Sequence, residues 1–176
     1  MKKKIILLTI TLLSTYCFSQ KYVDTLYNFK VDNGNIIWQK VFETKEFNPK
    51  KQFIKQTITN LKFNNLQEID NSISFSVTED YIDFKKYGGS AFTTTFHVQE
   101  PKEYLAVIDF KKNKYRVTIK QITVDYINSF KHKSPLSDVI IKKKKIRNNK
   151  RNKKDLNYYQ KHFIEQFTIK AKKDDW

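Results

Sequence analysis

The sequence is poor in cysteine, glycine and proline. Its single cysteine, Cys17, excludes a disulfide framework within one chain. Three glycines and three prolines in 176 residues argue against a loop-dominated fold. The chain also lacks any run of about 20 apolar residues, so no stretch after the N-terminus predicts a transmembrane helix. Only 18 acidic residues stand against 34 basic ones, and the net charge of +16 favours an anionic partner.

The first nineteen residues have the organisation of a secretory signal peptide. Lys2–Lys4 form a positively charged start, Ile5–Leu13 form an apolar stretch, and Cys17–Ser19 offers small residues for cleavage before Gln20. We therefore expect an exported protein, either periplasmic or secreted, with no transmembrane segment in its mature part. Cleavage removes the only cysteine, so the mature chain must be stabilised by packing alone.

The clearest structural pattern is a β-hairpin over residues 103–125. Apolar side chains alternate with polar ones on both sides of a two-residue turn at Lys112-Asn113. That turn pairs Phe110 with Tyr115 and Ile108 with Val117, so both strands place their apolar residues on one face. The opposite face carries Asp109, Arg116, Thr118 and Lys120, as in a sheet with one wet side.

Weaker patterns place the other elements. The segment 32–35 predicts a turn, residues 36–44 a strand, and Asn48-Pro49 the cap and first residue of a helix of about three turns. Residues 73–77 and 92–98 alternate apolar and polar side chains and predict two further strands. A glycine pair at 88–89 predicts a turn or bulge between these two strands.

The C-terminal third changes in character. Residues 131–154 contain eleven Lys or Arg and one Asp, a net charge of +10, and predict a self-repelling mobile loop with at most a short strand at 139–141. Asp155 is the expected cap of a final amphipathic helix. The predicted organisation is a signal peptide (1–19), a lead-in (20–34), an α+β core (35–130), a basic loop or insertion (131–154) and a C-terminal helix (155–172).

These elements predict the α+β class, with a curved antiparallel sheet in the order β-α-β-β-β(-β)-α and helices packed on one face. The hexapeptide IWQKVF at 37–42, ahead of a helix, and YLAVIDFKKNKYRVTIKQI downstream resemble a domain family of unknown function with a TBP-like fold, found in exported bacterial proteins. The resemblance covers roughly Asn35 to Phe130. It implies an architecture and no catalytic residues, and a fold name shared with a DNA-binding factor does not imply DNA binding.

No catalytic or metal-binding pattern emerges from the sequence. The histidines, His97, His132 and His162, lack a partner at ligand spacing and are expected on the surface. The acidic cluster at 79–83 is interpreted as a solvated turn, with acid–base or calcium chemistry as the alternative. Gly88 and Gly89 are weak candidates for lining a ligand, since backbones approach ligands closely at glycine. We predict no cofactor and no metal.

The basic segment is the feature with functional weight. Its cations suit polyanions such as lipopolysaccharide, anionic lipid or nucleic acid, but it lacks the interleaved aromatics that stack on bases, so sequence-specific nucleic-acid recognition is not expected. The alternative is a solvated loop that is merely rich in lysine. The candidate anion-binding residues are Lys142, Lys143, Lys144, Lys145, Arg147, Lys150, Arg151, Lys153 and Lys154.

Three functional hypotheses follow. The first is a non-enzymatic binding module of the cell envelope that takes another exported protein or an apolar ligand through its sheet. The second is a polyanion binder that acts through the basic segment. The third is a small secreted hydrolase or toxin, which rests only on export and basicity.

Overall fold

The structure is a computed structural model that describes residues 21–45, 48–57, 61–127 and 132–170. The predicted signal peptide at 1–19 lies outside these residues. The described part contains eleven strands and four helices. The strands are β1 (Tyr22–Val23), β2 (Thr25–Leu26), β3 (Phe29–Asp32), β4 (Asn35–Glu43), β5 (Phe63–Ile69), β6 (Ser72–Asp80), β7 (Lys102–Lys111), β8 (Lys114–Asp125), β9 (Lys133–Pro135), β10 (Ile141–Lys142) and β11 (Lys145–Arg147); the helices are α1 (Pro49–Thr57), α2 (Phe96–Gln99), α3 (Leu136–Ile140) and α4 (Lys150–Phe167).

Two antiparallel sheets organise the chain. The larger has the strand order β2-β3-β4-β8-β7-β6-β5, with β9 added to β8, and the smaller has the order β1-β11-β10. The predicted α+β class with an antiparallel sheet is confirmed. No described helix is both long and apolar enough to cross a bilayer.

The β7–β8 hairpin lies in the middle of the large sheet and has the predicted register. Phe110 faces Tyr115 and Ile108 faces Val117 across the two strands. All four are buried, because the period of two places every second side chain on the face that the helices cover. On the other face, where the sequence placed both residues, Arg116 Nη2 lies 2.7 Å from Asp109 Oδ2 and forms a cross-strand ion pair.

The residues before the predicted core also belong to the sheet. Strand β3, which lies within the expected lead-in, pairs with β4 so that Phe29 faces Trp38. The predicted turn between them is confirmed, with Asn33 and Gly34 at φ 48° and 81°.

The predicted cap of α1 is confirmed as well, because Asn48 Oδ1 accepts a hydrogen bond from the backbone N–H of Lys51 at 3.1 Å.

Helix α4 covers the sheet with an aromatic core. The Phe163 ring is fully buried and lies 5.3 Å from the Trp38 ring, centroid to centroid. The Tyr115 hydroxyl donates to the carbonyl oxygen of Phe167 at 2.8 Å and so ties β8 to the end of the helix. The apolar residues of α4 recur three and four positions apart, as predicted, and this spacing places Phe163 and Phe167 on the side of the helix that faces the sheet.

The start of α4 differs from the prediction. The cap is Asn149, whose Oδ1 accepts from the backbone N–H of Asn152 at 2.8 Å, and the helix runs over Lys150–Phe167 rather than 155–172. Asp155 is an interior helix residue with 1% of its surface exposed, so it cannot act as the cap. The basic residues 150–154 therefore form the first turns of the helix.

The expectation of a mobile basic loop over 131–154 is wrong. The segment folds into β9, α3 and the hairpin β10–β11. Its apolar residues Leu136, Ile140 and Ile146 are fully buried and anchor it to the core, an effect that a count of charges overlooks. The hairpin turn consists of Lys143 and Lys144, both at positive φ (54° and 58°), which is the pattern of a type I′ turn.

The strand predicted over 92–98 is also wrong. The chain forms turns there and then the short helix α2, and the Phe92 side chain is fully exposed. The preceding glycine pair does form the predicted turn, in which Gly88 has φ +84° and the N–H of Gly89 donates to the Phe84 carbonyl at 2.8 Å. A Cβ at Gly89 would lie 2.8 Å from the Tyr158 hydroxyl, so the turn packs directly on α4.

Candidate functional site

The candidate functional site is a cavity of about 690 Å³ beside the start of α4. Five parts of the chain surround it: the 91–99 segment with α2, the residues around β9, helix α3, the end of β11 and the first turn of α4. The β8–β9 side contributes Tyr126 and His132, whose rings stack with centroids 5.1 Å apart. Residues far apart in sequence therefore converge on one space.

The wall formed by β11 and α4 is cationic. Arg147 and Arg151 line the cavity together with Asn149 and Asn152, and the described residues that line it include no Asp or Glu. The first turn of an α-helix also presents unpaired N–H groups and the positive end of the helix dipole. Acidic side chains usually occupy that position, yet α4 has none in its first turn. The described lining thus carries no acidic side chain, although the buried carboxylate of Asp155 lies 3.5 Å from the lining residue His97.

Several polar atoms around the cavity lack a partner within the described part of the chain. They are Nδ2 of Asn152, Nε of Arg147 and Oγ1 of Thr94, all on residues that line the cavity. Asn152 is 5% exposed and Thr94 is 7% exposed. A buried polar group left without a hydrogen bond costs about 1–3 kcal/mol, so an acceptor entering the cavity would recover that energy.

His97 closes the inner wall as a neutral ring. Burial, together with the nearby positive charges of Lys102 and Arg151, lowers its pKa to about 3. Its Nε2 lies 3.5 Å from Asp155 Oδ2, but the low pKa means that this contact is not an ion pair at neutral pH. The charge of the cavity wall therefore comes from the two arginines and the helix terminus.

Thr95, His97 and Asp155 do not have the geometry of a catalytic relay. The Thr95 hydroxyl lies 3.2 Å from His97 Nε2, the same ring nitrogen that faces Asp155. A nucleophile–base–acid relay needs the hydroxyl and the carboxylate on opposite nitrogens of the imidazole. It also needs a base whose pKa lies near the pH at which the reaction runs. Within the described ranges, no group of three or more His, Cys, Asp or Glu side chains is placed to hold a metal ion.

A second polar cluster lies elsewhere on α4. His162 Nε2 lies 2.9 Å from both carboxylate oxygens of Asp80, and the Tyr104 hydroxyl donates to Asp80 Oδ2 at 3.0 Å. Asp80 is only 9% exposed, so the interpretation of the acidic cluster as a solvated turn is wrong for this residue. The surface assignment of His97 is wrong as well, since 5% of it is exposed. Asp80 thus links the sheet to α4 through these hydrogen bonds.

The predicted anion-binding residues are divided among three environments. Arg147 and Arg151 line the cavity. Three lysines make contacts within the chain: Lys143 lies over the Tyr22 ring, Lys145 Nζ lies 3.2 Å from Asp24 Oδ1, and Lys154 donates to Thr93. Exposed positions on the hairpin and the helix are taken by Lys142, Lys144, Lys150 and Lys153.

Gly88 and Gly89, the weak ligand-lining candidates, are not among the residues that line the cavity. Gly89 lies behind it, and a Cβ there would be 3.0 Å from Thr94 Oγ1. Sequence reasoning missed Thr94 and His97, which approach the arginines only through the fold. It also missed Asn152, which follows Arg151 in sequence but becomes a buried donor only in the folded chain. One local signal was available: the pattern Asn149-x-x-Asn152 followed by cations marks a helix start that lacks acidic residues.

Comparison with known proteins adds two similar folds. No family model and no curated protein matches the chain. Among solved structures, a TBP-like protein from Parabacteroides distasonis is 15% identical with a TM-score of 0.48, over 76% of this chain and 88% of that one. A DUF4468 family protein from Bacteroides ovatus is 13% identical with a TM-score of 0.46, over 83% of this chain and 85% of that one.

These descriptions agree with the resemblance to a TBP-like domain of unknown function. At such identities and TM-scores, neither structure lends a function to this chain. The function is therefore taken from the geometry of the chain itself.

Proposed function

We propose that the protein is a non-enzymatic, exported binding domain that holds the phosphate or carboxylate group of a small ligand in the cavity at the start of α4. One observation carries the proposal: Asn152 is buried, lines the cavity and has a side-chain donor that finds no acceptor in the described part of the chain. It lies beside Arg147 and Arg151 at a helix N-terminus. An oxyanion satisfies all of these groups at once.

The contribution of each arginine to the free energy of anion binding can be bounded. A hydrogen bond to a charged group contributes about 1.5–3 kcal/mol, which corresponds to roughly tenfold to a hundredfold in affinity. The two arginines differ in exposure, since Arg151 is exposed whereas Arg147 is half-buried. Loss of Arg151 therefore tests binding with little effect on folding.

The experiment is a calorimetric titration of the purified protein with inorganic phosphate at low and at physiological salt. The variants are Arg151→Gln, Arg147→Gln and a control, Lys142→Gln, which removes an exposed cation of the basic hairpin (residues 141–147). We expect either arginine substitution to weaken phosphate binding about tenfold or more, and the control to bind as the wild type. A wild-type protein that does not bind phosphate at low salt, or arginine variants that bind unchanged, would refute the proposal.

A second candidate is polyanion binding by the exposed face of the basic hairpin. The observation that favours it is the hairpin turn, at which Lys142 and Lys144 are both exposed. Two of its four lysines already face Tyr22 and Asp24, so fewer cations are available than the sequence suggested. Retention on heparin that falls with salt and is lost in Lys142→Gln/Lys144→Gln would support this candidate. Equal retention of that variant and the wild type would reject it.

A further inference from the structure

We infer that the ligand is an amphipathic anion, with one phosphate or carboxylate head on an aromatic body, and this inference rests on the proposed function of the cavity. The first argument is size. A cavity of about 690 Å³ lies within the range of about 300–1,000 Å³ that encloses organic ligands. A bare oxyanion, comparable to a few water molecules at about 30 Å³ each, would leave most of that space unfilled.

The second argument is that apolar side chains also line the cavity. Ala91, Phe92, Phe96 and Val139 line the same cavity and offer no charge. Phe92 is fully exposed and Phe96 is 58% exposed, although both belong to one short segment at the rim of the cavity. A single exposed aromatic residue is common on protein surfaces. Two beside one charged cavity mark a surface that a ligand's apolar part can cover.

The third argument is the kind of apolar body that fits. Tyr126 and His132 stack with their planes 23° apart, so another wall of the cavity consists of flat rings. Aromatic rings prefer offset or edge-on contact with one another and gain from it beyond the area that they bury. With Phe92 and Phe96 at the rim, two parts of the chain contribute rings to the cavity and a third contributes cations. A planar aromatic body satisfies the ring walls while its anionic head reaches Arg147 and Asn152.

The arrangement also distinguishes this ligand from a polymeric one. The cations of the cavity wall are two arginines at one end of one helix, whereas a polyanion needs a row of exposed charges along its backbone. Buried donors such as Nδ2 of Asn152 can reach a terminal phosphate or carboxylate that enters the cavity. They cannot follow a chain that passes over the surface. A small molecule with a terminal head group is therefore favoured.

The experiment compares three probes on the full-length protein: inorganic phosphate, 1-naphthyl phosphate and 1-naphthol. The fused rings of the naphthyl group should be buried against Phe92 and Phe96. We therefore expect 1-naphthyl phosphate to bind more tightly than inorganic phosphate, by a factor of about ten or more. The neutral naphthol should bind more weakly than naphthyl phosphate by a similar factor. The test variant is Phe92→Ser/Phe96→Ser. Its matched control is Ile69→Ser, which removes an exposed apolar side chain of β5 that does not line the cavity.

The expected result is that Phe92→Ser/Phe96→Ser loses the advantage of naphthyl phosphate and keeps the wild-type affinity for inorganic phosphate. The Ile69→Ser control should keep both. Equal binding of phosphate and naphthyl phosphate by the wild type, or an advantage that survives in the Phe variant, overturns this inference and leaves the anion site standing. Absence of phosphate binding in the wild type overturns the proposed function and this inference together.

Discussion

Lys102 is a fully buried lysine whose substitution should change the pH dependence of stability. It begins β7, its Nζ donates to the carbonyl oxygen of Val98, and it lies 5.4 Å from the centroid of the Tyr159 ring. Burial lowers its pKa to about 7, although the negative charges of Asp80 and Glu100 act in the opposite direction. An exposed lysine keeps a pKa of 10.5.

The sign and size of the effect follow from that difference. Between about pH 7 and pH 10.5 the unfolded chain binds more protons at Lys102 than the folded chain does, so the free energy of unfolding rises with pH in this window. At about 1.4 kcal/mol for each pKa unit, burial of the lysine destabilises the fold on the order of 4 kcal/mol near pH 7. About 2 kcal/mol of that cost is recovered by about pH 9.

The assay is urea unfolding of the wild type and of Lys102→Met at about pH 7 and about pH 9. The variant lacks the titrating group, so its stability relative to the wild type should fall by about 2 kcal/mol between the two conditions. A matched control is Lys111→Met, which removes an exposed lysine at the other end of the same strand. The upper pH of about 9 is chosen because tyrosines of the unfolded chain ionise near pH 10. Burial raises the pKa of Tyr104 and of Tyr159 in the folded chain, so their titration would add its own pH dependence above that point. Parallel pH dependence of the wild type and Lys102→Met would show that Lys102 stays protonated in the fold.

Two further substitutions test the surroundings of the cavity. Asn152→Leu removes a buried donor without a described partner, so we expect a gain of about 1 kcal/mol in unfolding free energy together with a loss of about tenfold in phosphate affinity; a variant that binds phosphate normally would contradict the role of this side chain. Gly89→Ala places a Cβ 2.8 Å from the Tyr158 hydroxyl and should destabilise the fold by about 1–3 kcal/mol in thermal or urea unfolding. Gly88→Ala, which meets open space but has positive φ, should cost only about 1 kcal/mol; the reverse order would contradict the close packing of the turn on α4.

The parts of the fold that could be predicted are those specified by short-range patterns. Phe110 and Tyr115 alternate in phase on either side of a two-residue turn, and this local agreement determines the register of β7 and β8. The cap at Asn48 follows in the same way from an Asn-Pro pair before an apolar repeat. Such signals depend on residues within a few positions of one another.

Predictions failed where a long-range contact overrides the local pattern. The segment 92–98 alternates like a strand, yet the chain turns there to form one wall of the cavity, with Phe92 exposed. In the basic segment, the charges suggested a mobile loop, but burial of Ile140 and Ile146 outweighs the repulsion among exposed lysines, which water screens. For the same reason, only part of the site could be predicted from the sequence. Its arginines were selected by charge, whereas Asn152 gained its role through a fold that brings it to the 91–99 segment.

The response of the Asn152 side-chain amide to inorganic phosphate, followed by NMR, tests the central claim most directly. If the cavity holds the anion, this buried amide gains an acceptor and its resonance shifts in step with the binding curve, together with the Nε–H of Arg147. The Asn28 side-chain amide is the internal control, since it already donates to Gln160 Oε1 at 3.0 Å and should not move. Shifts confined to Lys142 and Lys144 of the basic hairpin, with the Asn152 amide unchanged at saturation, would contradict the account.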